Sequence, residues 1–190
     1  MSRPVLIGAL LWLLVAIVLG ASGALLGIPP GALVVLVTSL AIVLLVASWT
    51  VPALRTFVRT ADLRLLAGFH LVRFVGLHFV ILGLRGLLPG LFVAAAGYGN
   101  VVVALLALLL LASVPPRSPQ GRTFWLGWNV LGLAVALSIG IVLLILGRSG
   151  PEPMLRVLPW SLLPSFVAPI VLATHAWMLV RLGDADLPSL

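Results

Sequence analysis

Four ionisable side chains stand inside long apolar stretches of this chain: His70, Arg73, His78 and His175. Histidines in such surroundings can ligate a metal or haem, relay protons, or hydrogen-bond one helix to another. Arginine is more restricted, because its guanidinium has five N–H donors, no acceptor, and a proton it does not release. No carboxylate shares those stretches, the four acids being Asp62, Glu152, Asp184 and Asp186. Arg73 must therefore snorkel, bind backbone carbonyls loosened at a kink, or meet an anionic or carbonyl-bearing ligand.

At about 100° per residue, Arg73 and His78 fall roughly 60° and 80° to either side of His70. All three are thus expected on one helix face, turned into a bundle because ionisable groups facing lipid are expensive. Counted inward from the span ends, His70 lies about 10 Å deep and His175 about 9 Å deep, both on the cytoplasmic side. Asn129 falls at a similar level in a third helix, with Arg73 just below. His78 lies nearer the outer side, with no histidine at its depth.

Three readings of this layer stay open. His70 and His175 could be the axial ligands of b-type haem, with Arg73 near a propionate or a quinone. The residues Arg73, His70, His175 and Asn129 could instead line a pocket for a quinone, a lipid head group or a small anion without metal. They could equally be glue between helices. Zinc is disfavoured, since it usually takes three or four Cys, His or carboxylate ligands and only two histidines share a level. All four acids fall in loops, so no nucleophile–base–acid constellation forms and no catalytic residue is assigned.

Positioning these residues requires helices that cross lipid, each about 20 mostly apolar residues long. Spans are predicted at 5–27, 31–49, 63–84, 91–114, 124–147 and 161–181, in one transmembrane domain over residues 1–190. Turn chemistry marks the breaks at Pro29-Pro30-Gly31, Pro89-Gly90, Pro115-Pro116 and Gly150-Pro151. The first apolar run outlasts a typical signal-peptide core and is read as a retained span. Gly97 to Asn100 in the fourth span, and Pro164 and Pro169 in the sixth, should loosen helix hydrogen bonding. Gly76 and Gly83 form a smooth stripe for close helix approach. Between the second and third spans, Arg55, Arg59 and Asp62 recur at helical spacing opposite Leu54, Val58 and Ala61. That spacing predicts a short amphipathic surface helix, with a solvated loop as its alternative.

Orientation is read from arginines. Placing the N-terminus in the cytoplasm puts Arg3, Arg55, Arg59, Arg64, Arg117, Arg122 and Arg181 inside, against Arg85, Arg148 and Arg156 outside. That bias predicts both termini in the cytoplasm. Trp49, Trp125, Trp128, Trp160 and Trp177 fall near span ends, where indoles favour the interface, and Trp12 is the mid-span exception.

Composition narrows the function classes. Of 190 residues, 63% are apolar and 8% charged, against about 25% charged in a soluble domain. All 11 basic residues are arginines, spread through short loops, so the net charge of +7 does not mark a nucleic-acid surface. Without Cys there is no disulfide, thiolate nucleophile, Cys-ligated cluster or covalent c-type haem; without Lys there is no Schiff base.

Two stretches, LPGLFVAAAGYGN (88–100) and LLPSFVAPIVLATH (162–175), resemble motifs of uncharacterised bacterial multi-pass membrane proteins. The resemblance extends over roughly residues 63–182 and implies no assigned activity. Such relatives often carry an acid where this chain has Asn100, which implies that an acidic role there is lost or neutralised. The resemblance also marks the His175 region as more than filler. The expectation is then an all-α polytopic bundle of six spans in the inner membrane, N-in and C-in, with lipid and other membrane subunits as partners. Its role is a ligand pocket in the cytoplasmic leaflet, an accessory or scaffold subunit, or a small-solute transporter built on broken helices.

Overall fold

A computed structural model describes residues 3–29, 31–113, 119–147, 150–151 and 153–183. Arg117, Arg148, Glu152, Asp184 and Asp186, and the prolines at 30, 115 and 116, lie outside the described residues. Within them the chain is helical and contains no strand. In chain order the helices are α1 (Arg3–Ala21), α2 (Ala32–Thr50), α3 (Pro52–Thr60), α4 (Leu63–Leu84), α5 (Gly90–Ala112), α6 (Pro119–Leu146) and α7 (Leu163–Gly183). All but α3 are long and apolar enough to cross a membrane, six helices as the sequence predicts. The first is shorter than expected. Gly23 takes a left-handed φ of 72°, open to glycine at little cost, and the chain turns there rather than running on to 27.

Backbone packing divides the chain into two units. The first comprises Met1–Thr60 and Gly140–Ala173. Its α3 packs on α1 and α2, half-burying Leu54, Phe57 and Val58 while Arg55 and Arg59 face out. The expected amphipathic helix is therefore present, but it stops at Thr60. Asp62 is not on its polar face; its carboxylate accepts the Arg64 N–H at 2.9 Å and caps α4.

The start of α7 runs as a π-helix over Leu163–Val167. Pro169 has no N–H to offer the Ser165 carbonyl four residues back. Trp12 supplies the donor instead, its indole Nε1 reaching the Ser165 oxygen at 2.9 Å while its ring meets Phe166 edge-on at 5.2 Å. The mid-span tryptophan is thus the complement of a proline break. Arg156 gathers another set of open carbonyls, donating to Leu26, Ile28 and Pro29 at 3.4, 2.8 and 3.2 Å.

The second unit comprises Ala61–Ile139 and Thr174–Leu190. Here α4 is not uniform: an α-helical turn gives way to a 3₁₀ segment over His70–Val75 before the α-helix resumes at Gly76. Opposite it, α5 is π-helical over Val93–Gly99, where sequence predicts loosened hydrogen bonding. A Cβ at Gly76 would come within 2.5 Å of the Gly97 carbonyl, and one at Gly83 within 2.8 Å of Val93 Cγ1. The two glycines therefore permit the close approach that their spacing predicts. The Asn100 amide donates to the Ala96 carbonyl of the π-helical stretch at 2.9 Å.

Arginines close the helix ends of this unit. Arg64 donates to the Leu111 carbonyl at 3.0 Å, Arg122 to Leu182 and Gly183 at 2.7 and 3.0 Å, and Arg181 to Ala61. These are carbonyls of last turns or of the link between helices.

Tryptophan placement differs from the interfacial expectation. Trp49 is 70% exposed and fits it, but Trp125, Trp128 and Trp177 are only 0%, 4% and 7% exposed. Each faces the packed interior, because proximity to a span end fixes depth and says nothing about azimuth.

Candidate functional site

The polar residues singled out by sequence meet in the second unit, on α4, α6 and α7. The 3₁₀ segment sets the first part of the arrangement. With three residues per turn, positions i and i+3 eclipse, so His70 and Arg73 are stacked on one line instead of lying about 60° apart. Both are buried, His70 at 0% and Arg73 at 3% exposure. The same geometry carries His78 roughly half a turn away from Arg73. His78 is half-buried and contacts the Phe79 ring, so the expectation of three groups on one face is corrected to two.

On α6, Asn129 and Gly132 are three residues apart and so lie on one face. Asn129 holds His175 of α7 at two points. Its Nδ2 donates to the His175 carbonyl at 2.9 Å, and its Oδ1 accepts from His175 Nδ1 at 2.5 Å. Arg73 Nη2 donates to the Gly132 carbonyl at 2.9 Å and to His175 Nε2 at 3.1 Å. A guanidinium only donates, so Nε2 accepts and the ring proton stands on Nδ1, where Asn129 receives it. Gly132 makes the contact sterically feasible, since a Cβ there would sit 2.7 Å from His175 Nε2.

His70 completes the cluster. Its ring centre lies 4.2 Å from that of His175, and Trp128 meets it edge-on at 5.2 Å. Its Nε2 is 3.1 Å from the Thr174 hydroxyl. Trp128 is itself anchored through Nε1 to the Val103 carbonyl at 3.0 Å.

Three buried nitrogens of the cluster have no hydrogen-bond partner: Arg73 Nε, Arg73 Nη1 and His70 Nδ1. Two of the five guanidinium N–H groups are engaged and three are not. Among the described residues no acid balances the charge. Asp62, the acid among the described residues, caps the start of α4, roughly 17 Å along the helix from Arg73. A buried cation with orphaned donors is costly, by several kcal/mol in effective terms, unless an anion or carbonyl oxygen meets it.

The residues do not fit a bis-histidine haem. Two axial imidazoles would have to take the flat macrocycle between them. Here the ring centres are themselves 4.2 Å apart, leaving no room for a macrocycle between them. Both nitrogens of His175 are already engaged, by Asn129 and Arg73. Among the described residues no group of three or more His, Cys, Asp or Glu is gathered for a metal ion.

His70, Arg73, Asn129 and His175 are thus brought together, and His78 is not. Sequence reasoning missed Gly132, Trp128 and Thr174. Gly132 carried a usable signal, its three-residue spacing from Asn129. Trp128 was assigned to an interface, and Thr174 had no periodicity of its own to single it out.

A family model described as a domain of unknown function (DUF8737) matches residues 30–183, a range that includes the whole cluster. No curated protein and no solved structure matches the chain.

Proposed function

The chain belongs to the DUF8737 family, and for it we propose a ligand-binding role: a multi-pass protein of the inner membrane that holds an anionic or carbonyl-bearing molecule against Arg73. One observation carries this reading. Arg73 is 3% exposed, has Nε and Nη1 unpartnered, and has no acid within reach among the described residues. His175 and Asn129 support it as positioning residues, since the Asn129 clamp fixes the imidazole that aims the guanidinium. The arginine bias supports a position for this site in the cytoplasmic leaflet, with both termini inside.

The test compares wild-type protein with Arg73→Gln in neutral detergent, following thermal unfolding with added decanoate, phosphatidylglycerol or a short-chain quinone. At least one should raise the wild-type Tm by several degrees, and Arg73→Gln should lose that gain. Equal gains in both proteins, or none in either, would sink the reading.

A second reading rests on the Asn129–His175 pair, which ties α6 to α7 through two hydrogen bonds. On it the cluster is helix glue in an accessory subunit. Arg73→Gln would then lower the unfolding temperature of the ligand-free protein and leave no ligand response to lose.

A further inference from the structure

We propose that the site is selective for a monovalent carboxylate, held through one oxygen by Arg73 and through the other by His70 Nδ1. The inference rests on the Arg73 reading above and narrows it by charge and by donor count.

Among the described residues Arg73 is the sole charged side chain facing the cluster. The groups around it are His175 and Thr174 from α7, Trp128, Asn129 and Gly132 from α6, and His70 from its own helix. The α5 stretch packed against the 3₁₀ segment, Asn100–Ser113, adds no charged side chain. One fixed positive charge in an interior sealed from water is neutralised by one negative charge. A second negative charge would be buried without a partner, which is the situation a low-dielectric interior penalises most. An uncharged head group would leave the guanidinium unbalanced.

Geometry supplies the second contact. His70 and Arg73 are stacked by the 3₁₀ turn, both lie against His175, and each carries an orphaned nitrogen. In the tautomer this contact requires, Nε2 accepts from the Thr174 hydroxyl 3.1 Å away and the ring proton stands on Nδ1, available to an acceptor. A carboxylate presents two oxygens and one charge, matching one cation and one neutral donor.

The experiment uses ligands of one chain length on the full-length wild-type protein: decanoate, decanol, and decyl phosphate at a pH where its phosphate is doubly charged. Binding is measured by calorimetry or by displacement of a fluorescent fatty acid. Decanoate should bind at least about tenfold more tightly than either of the others, the scale of one charge-assisted hydrogen bond. His70→Gln, whose amide oxygen can still accept from Thr174 near the Nε2 position and which loses Nδ1, should weaken decanoate by about tenfold. His70→Asn, which keeps a donor near Nδ1, should restore most of that loss.

Decyl phosphate binding as tightly as decanoate overturns the charge selection. Decanoate binding unaffected by His70→Gln overturns the His70 contact. In both cases Arg73 still holds an anion and the broader reading stands. Wild-type protein that binds none of the three above the Arg73→Gln background overturns both. The ligand comparison in wild-type protein decides the matter even where a variant fails to fold.

Discussion

At the scale of single residues, the cluster depends on one glycine as much as on its polar groups. Gly132 lies against the His175 imidazole, and a methyl added there must displace the ring that Arg73 donates to. Gly132→Ala is expected to destabilise the protein by about 1–3 kcal/mol and to abolish the ligand response. Gly127, five residues earlier on the same helix, has nothing within 4 Å of its would-be Cβ. Gly127→Ala should be neutral or stabilising by up to about 1 kcal/mol, from helix propensity alone. Chemical or thermal unfolding of the two variants side by side checks the contrast. Similar values would mean that the Gly132–His175 contact does not shape the fold. Much of this cluster was legible in sequence, because depth along a helix is a simple count: His70, Asn129 and His175 meet at one level as counted. Azimuth was not legible, because it assumed 100° per residue through a segment that turns at about 120°. That difference separates the two residues the site uses from His78, which it does not.

At the scale of helices, the departures from α geometry fall where residue chemistry allows them. The π-helical opening of α7 surrounds Pro164 and precedes Pro169, and that of α5 contains Gly97 and Gly99. Each break exposes a carbonyl, and each carbonyl is met: Ser165 by Trp12, Ala96 by Asn100. If Trp12 replaces a donor that Pro169 cannot provide, the two positions must be energetically coupled. Trp12→Phe should cost about 0.5–1.5 kcal/mol in the native background and less in Pro169→Ala, where residue 169 regains its N–H. Additive costs in a double-mutant cycle would show that the indole serves the ring contact with Phe166 and not the proline. Sequence marked these breaks as weak points but did not reveal their partners, which lie 153 residues apart in the Trp12–Ser165 case. Nor could it show that Asn100 donates to a backbone carbonyl, something a carboxylate at that position could do only when protonated.

At the scale of the molecule, the six-span reading followed from the length of apolar runs and held because little else can be built from such a sequence. The arginines carried two meanings that composition could not separate. They bias orientation, and Arg64, Arg122, Arg156 and Arg181 also close open carbonyls. The chain has no cysteine, so single cysteines can be introduced into its native background to test the proposed orientation. Thr56→Cys, exposed on α3, should react with a membrane-impermeant maleimide only from the cytoplasmic side, and Leu87→Cys, exposed between α4 and α5, only from the opposite side. The reverse pattern would invert the model and put the Arg73 layer in the outer leaflet.

The 3₁₀ segment of α4 also has a mechanical consequence. A 3₁₀ turn rises about 2.0 Å per residue against about 1.5 Å for an α turn, and winds about 20° further at each step. Rewinding His70–Val75 as α-helix would therefore shorten α4 by about 3 Å and swivel everything beyond it by about 120°, like a screw advanced by a third of a revolution. Gly76, seated against the carbonyls of Ala96 and Gly97, is the detent that holds this thread at its present setting. A side chain at residue 76 would push the detent out, and the half of α4 that carries His78 would be free to rotate.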